Sequence, residues 1–171
     1  MKLYKLLKRT GIFSLFLFSF SCSRSPVDLQ KATAGDILTA VAKHKGEKAV
    51  LVNYWATWCA PCVEEFPMVM ELSKEYADEA VVLFVSGDWL DEKESALEFL
   101  EKHGVKGLSF IKNQKDNEFI NGIHKNWSGA LPFTIVYGKN SGYVVDSWEA
   151  KKPEARFIEA LNKAINEGVK S

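Results

Sequence analysis

Short, continuous apolar runs alternate along this chain with longer stretches in which apolar residues recur every three or four positions. Runs of the first kind fit strands buried on both faces, and stretches of the second kind fit helices with one covered side. Ala49–Trp55 and Ala80–Ser86 are read as two buried strands, interrupted only by Asn53 and closed by Ser86. Leu108–Lys112 is a shorter strand. Phe133–Gly138 and Gly142–Trp148 form two more, joined by Lys139-Asn140-Ser141-Gly142, a hairpin signal. From Asp36, read as an N-cap, Ile37, Leu38, Val41 and Ala42 recur at helical spacing up to Gly46. Cys62–Ala77 is a second helix, with Phe66, Val69, Met70 and Leu72 near one face. Pro67 inside it is expected to bend it, and Glu64 and Glu65 read as charges favoured near its start. Glu92–His103 turns Ala96, Leu97, Phe99 and Leu100 inward and stops at Gly104. Asp116–Asn126 is weakly helical, and Pro153–Val169 closes the chain with Phe157, Leu161 and Ile165 on one side. Strands alternating with helices, then a hairpin and a final helix, define an α/β fold with a mixed central sheet flanked by helices.

The first 21 residues are of another kind. Lys2, Lys5, Lys8 and Arg9 make a basic start, and Gly11–Phe20 is apolar apart from its serines, which is the pattern of an export signal. The apolar part is shorter than the roughly 20 residues a spanning helix needs. Ser19-Phe20-Ser21-Cys22 resembles the lipobox of bacterial lipoproteins, with Ser19 where leucine is usual. That resemblance implies cleavage before Cys22 and lipid attachment to it. Plain secretion with cleavage near Ser21 is the alternative, and both place the mature domain outside the cytoplasm. Ser23–Thr33 reads as a polar spacer. The chain thus divides into a signal peptide at 1–21, a tether at 22–35 and a folded domain at 36–171.

The leader takes four basic residues with it, leaving 18 basic against 22 acidic groups, a formal net charge of −4. A surface of that sign excludes nucleic acid as a natural partner. With 47% hydrophobic residues, a domain of this length buries a core without disulfide staples. Its cysteines are therefore free for chemistry.

Trp58-Cys59-Ala60-Pro61-Cys62 lies between the strand ending at Trp55 and the helix that follows. A CxxC pair in that setting is a thiol-disulfide redox centre. The strand delivers Cys59 to the sheet's carboxyl edge, where the free N–H groups of the helix N-terminus stabilise a thiolate. Pro61 suits a first helical turn because its missing N–H has no partner to lose there. Cys59 is the nucleophile, and Cys62, one turn into the helix, resolves the mixed disulfide. The competing reading is half of a zinc site. It lacks a second CxxC, and His44, His103 and His124 have no ligand spacing, so neither a metal nor another cofactor is expected.

The run Val50-Leu51-Val52-Asn53-Tyr54-Trp55-Ala56-Thr57-Trp58-Cys59-Ala60-Pro61-Cys62 resembles the thioredoxin superfamily, and within it the TlpA/ResA-like thiol-disulfide oxidoreductases. The resemblance spans about residues 36–168 and implies a thioredoxin-like fold, with Glu92–Lys112 as an inserted helix and strand. It implies that the Leu131–Pro132 bond is cis, that Pro132 packs across from Cys59, and that the Leu131 backbone pairs with a client strand. Phe133 stands where the family often has threonine. Asp88 falls where ResA-like proteins carry an acid near the cysteines, and Asn53 where thioredoxin has a buried aspartate. Asp88 is therefore the expected proton acceptor for Cys62, a solvated loop aspartate being the plain alternative. Trp58, Ala60, Pro61 and Leu131 are expected to form the client surface. The same resemblance implies that the protein reduces protein disulfides, apocytochrome c cysteines among them, with electrons from a membrane thiol donor. A copper-delivery protein of the same fold is the alternative function, though such carriers usually add a His or Met ligand beside the cysteines.

Overall fold

The computed structural model describes residues 27–168. The proposed signal peptide, Cys22 and residues 23–26 of the spacer lie outside the described residues.

Six strands form one sheet in the order β1-β4-β3-β2-β5-β6. These are β1 (Val27–Ala32), β2 (Ala49–Trp55), β3 (Ala80–Ser86), β4 (Gly107–Lys112), β5 (Phe133–Tyr137) and β6 (Val144–Glu149). β1, β4, β3 and β2 run parallel, and β5 and β6 are antiparallel to their neighbours. The helices are α1 (Ala34–Ala42), α2 (Ala60–Glu75), α3 (Lys93–Lys102), α4 (Asp116–Ile123) and α5 (Glu154–Ile165).

β2 is buried along its whole length, and its alternating side chains build two cores. Leu51 and Trp55 join Phe66, Leu72, Phe84, Phe157 and Leu161 on the face covered by α2, α3 and α5. Val50, Val52 and Tyr54 join Ile37, Val41, Phe119 and Ile123 on the face covered by α1 and α4. Asn53 shares the first face with Leu51 and Trp55, so the one polar residue of the strand points towards α2. The expected insertion is visible in the strand order: α3 and β4 add a strand between β3 and β1.

The spacer is shorter than the sequence implied. Val27–Ala32 is not tether but the edge strand β1, paired in parallel with all six residues of β4 and burying Leu29 and Ala32. The first helix also starts earlier, capped by Thr33 rather than Asp36. The Thr33 hydroxyl accepts from the Asp36 N–H, and the Asp36 carboxylate accepts from the Thr33 N–H at 2.8 Å, a reciprocal capping box. α2 begins at Ala60, two residues before the expected start, and continues without a break through Pro67.

The weakly patterned stretch after β4 does fold as the helix α4, held by Phe119 and Ile123 against α1. It comes so close that a Cβ on Gly122 would sit 2.8 Å from the Ala34 Cβ. Only glycine allows that approach.

Candidate active site

Strand register brings three chain segments to one edge of the sheet. Trp55 at the end of β2 pairs with Ser86 at the end of β3, and Tyr54 pairs with Phe133 at the start of β5. The loop carrying Cys59, the loop carrying Asp88 and the segment Leu131-Pro132 therefore share that edge. Gly87 joins them: its N–H donates to the Trp55 carbonyl at 2.7 Å, and a Cβ there would meet Leu131 Cδ1 at 3.3 Å.

Cys59 is the N-cap of α2, and its carbonyl accepts the N–H groups of Cys62 and Val63 at 2.9 and 3.0 Å. Pro61 sits in the first turn, as expected. Cys59 and Cys62 form a disulfide with an S–S distance of 2.03 Å. Both are buried, Cys59 at 6% exposure and Cys62 at 2%. Cys59 thus stands at the positive end of the helix dipole, which favours its thiolate once the pair is reduced. Ala60 and Pro61 are exposed beside them.

The Leu131–Pro132 peptide is cis. Pro132 is buried, and its carbonyl accepts the Ala150 N–H at 2.9 Å, which extends the β5–β6 ladder by one rung. Ala150 holds a φ of 64°, the left-handed region that non-glycine residues rarely adopt.

Asp88 is fully buried, so the solvated-loop alternative does not describe it. Its carboxylate accepts the Thr57 N–H at 3.0 Å, the Thr57 hydroxyl at 2.6 Å and the Ser86 hydroxyl at 2.6 Å. Thr57 is two residues before Cys59, so Asp88 pins the loop that presents the nucleophile. Cys62 is not among its hydrogen-bond partners.

Sequence reasoning missed Glu65. It is no exposed first-turn charge but is 2% exposed, one helical turn beyond Cys62 on the buried face of α2. One carboxylate oxygen accepts from Asn53 Nδ2 at 3.3 Å and the other from the Lys152 N–H at 3.0 Å. Burial pushes its pKa above the usual carboxylate range, the two hydrogen bonds and the Lys151 charge opposing only in part. The signal was present: Glu65 falls between Cys62 and Val69 on the stripe that buries that helix. Its neighbour Glu64 does behave as read, being exposed and paired with Lys151 at 2.8 Å.

Trp58 and Trp89 flank the edge, 56% and 61% exposed, with ring centroids 6.1 Å apart. They open onto a cavity of about 210 Å³ lined also by Gly87, Phe119, Trp127 and Leu131. Trp55 is structural, fully buried and stacked on Phe99 at 4.6 Å.

A dithiol pair at a helix N-terminus beside a cis-proline edge defines a thiol-disulfide oxidoreductase of thioredoxin-like fold. The sequence profile described as Thioredoxin matches residues 30–128, and the chain belongs to the thioredoxin family. The thiol-disulfide oxidoreductase ResA of Geobacillus kaustophilus is 26% identical over 176 residues, covering 94% of this chain and 98% of that protein. This near full-length likeness supports a place among the ResA-like members. The thioredoxin-like protein YneN of Bacillus subtilis is 55% identical over only 42 residues, 25% of this chain and 24% of its own length. An exposed lipoprotein thioredoxin from Streptococcus pneumoniae superposes with a TM-score of 0.56 at 20% identity, over 72% of this chain and 89% of that structure. That last likeness is one of fold. Among the described residues no helix is long and apolar enough to cross a membrane.

Proposed function

We propose that the protein is an exported, lipid-anchored reductase of protein disulfides, held to the outer side of a bacterial membrane through Cys22. The observation that carries this reading is the order of three groups along α2: Cys59 at the cap, Cys62 inside the first turn, and buried Glu65 one turn further. The Cys59 thiolate attacks a client disulfide, forming a Cys59–client bond and releasing one client thiolate to solvent protons. Cys62 then passes its proton to the Glu65 carboxylate and attacks the Cys59 sulfur. The Cys59–Cys62 disulfide forms, the second client thiolate leaves and is protonated, and two electrons have moved from the pair to the client. A dithiol donor at the membrane returns the pair to its reduced form.

The proton goes to Glu65 in this scheme rather than to Asp88. Thr57 and Ser86 already occupy the Asp88 oxygens, and a carboxylate whose pKa is raised by burial is the more basic acceptor for the Cys62 proton. Asp88 holds the Cys59 loop, while Trp58, Ala60, Pro61 and Leu131 meet the client and the backbone beside Pro132 pairs with it. Apocytochrome c is the client class that the ResA likeness supports. The lipobox-like Ser19–Cys22 and the pneumococcal lipoprotein of the same fold support the anchor.

Trapping tests the scheme. Cys62→Ser is expected to accumulate disulfide-linked clients in a membrane preparation from the native host, and Cys59→Ser to accumulate none. Equal trapping by both variants, or residual turnover in Cys59→Ser, overturns the assignment.

A further inference from the structure

Both oxygens of the Glu65 carboxylate lead to Pro132. One accepts the Lys152 N–H, in the loop whose Ala150 N–H holds the Pro132 carbonyl. The other accepts from Asn53 Nδ2, which also donates to Thr134 Oγ1 at 3.2 Å, two residues beyond Pro132. The Lys151–Glu64 pair fastens the same loop to α2 from outside. Ala150 sits in this loop with its φ of 64°, a strained conformation for a non-glycine residue that persists only where neighbours impose it.

We infer that Glu65 is a positioning residue for the client edge: charged, it holds loop 150–152 and with it Pro132 in the client-gripping geometry, and when it takes the Cys62 proton that hold slackens. The inference rests on the scheme above and adds the coupling. A carboxylate accepts an N–H more strongly than its protonated form does. Transfer of the Cys62 proton therefore weakens the contact with Lys152 in the step that frees the client thiolate. The strain stored at Ala150 then relaxes the loop away from the Pro132 carbonyl. Grip and release are set by one proton.

The groups that face Glu65 restrict what else could titrate. On its own helix these are Cys62 and the surface pair partner Glu64. From β2 and β5 come only the neutral Asn53 and Thr134. The loop contributes the Lys151 ammonium and the Lys152 N–H.

The test uses full-length protein carrying Cys59→Ala and Cys62→Ser, so that no thiol titrates. Two quantities are followed between about pH 4 and 8: exchange of the Ala150 and Lys152 amides, corrected for intrinsic rates, and affinity for an insulin B chain with serine in place of cysteine. The expected result is a several-fold loss of amide protection and of affinity as the pH falls through the Glu65 titration. Glu65→Gln, which retains an acceptor for Lys152, should make both profiles flat. Lys152→Pro, which deletes the donor and leaves Glu65 in place, should give weak, pH-independent binding. Parallel profiles in the parent and Glu65→Gln overturn the coupling. Because no redox step is involved, that failure is separate from failure of the trapping experiment.

Discussion

The carboxylate of Asp88 accepts both the N–H and the hydroxyl of Thr57, at 3.0 and 2.6 Å, and thereby ties the end of the third strand to the loop that carries Cys59. A fully buried acid used in this way behaves as an anchor. Asp88→Ala leaves the Thr57 and Ser86 donors without an acceptor, and should lower unfolding free energy by about 2–3 kcal/mol. Asp88→Asn should cost less and slow turnover by loosening the Cys59 loop, with the shape of the pH–rate profile for resolution unchanged. Chemical denaturation and stopped-flow reduction of a model disulfide check both. A displaced profile would return the proton to Asp88.

Glu65→Gln should separate activity from stability. Resolution of the mixed disulfide is expected to slow roughly ten- to a hundred-fold. Burial raises the Glu65 pKa in the folded state, so the folded protein holds that proton more tightly than the unfolded chain. The associated stability is present at acid pH and is lost as the pH rises through the raised value. The variant removes this decline and should be the more stable form at neutral pH, by an amount of order 1 kcal/mol. Thermal melts across pH, beside single-turnover kinetics, read both effects.

Asp146 and Arg156 form a two-pronged pair at 2.6 and 2.7 Å, with the guanidinium also 4.5 Å from the centre of the Trp148 ring. The hydrogen bonds from Arg156 are the main cause holding the Asp146 pKa below its usual value. The stabilisation is therefore present above the ordinary carboxylate range and is lost as the pH falls through the lowered value. Arg156→Ala should cost about 1 kcal/mol at neutral pH and flatten the acid limb of the stability curve. Urea midpoints at neutral and acid pH measure it.

On the proposed anchoring, Cys22→Ala should move the protein out of the detergent-soluble membrane fraction, because the acceptor for the acyl chains would be lost. Fractionation followed by intact-mass measurement gives the answer. An unchanged distribution favours anchoring by the leader itself.

Some elements were legible because their pattern reports burial directly. The second and third strands, Ala49–Trp55 and Ala80–Ser86, have the bounds that their apolar runs suggest, since both faces of a central parallel strand must be covered. Val27–Ala32 was opaque: an edge strand paired on one side buries only Leu29 and Ala32, too little to impose a period. The fourth helix was faint because its apolar face is narrow and its close seat on the first helix depends on Gly122, whose role shows only against Ala34. Glu65 could have been caught by its place on the buried stripe, but its charge argued for the surface.

The sequence by itself determined the redox chemistry. Two cysteines separated by two residues, after a buried strand and at a helix start, carry their reactivity in local geometry and the helix field. The cis-proline position and the inserted strand were legible only through the resemblance to the thioredoxin superfamily. Tertiary structure alone decided which carboxylate stands in the apolar interior beside Cys62, and that its oxygens reach the Pro132 edge through Lys152 and Asn53. Those contacts join residues as far apart as Glu65 and Lys152. Desolvation and hydrogen bonding depend on what surrounds a group in space, and spacing along the chain does not record it.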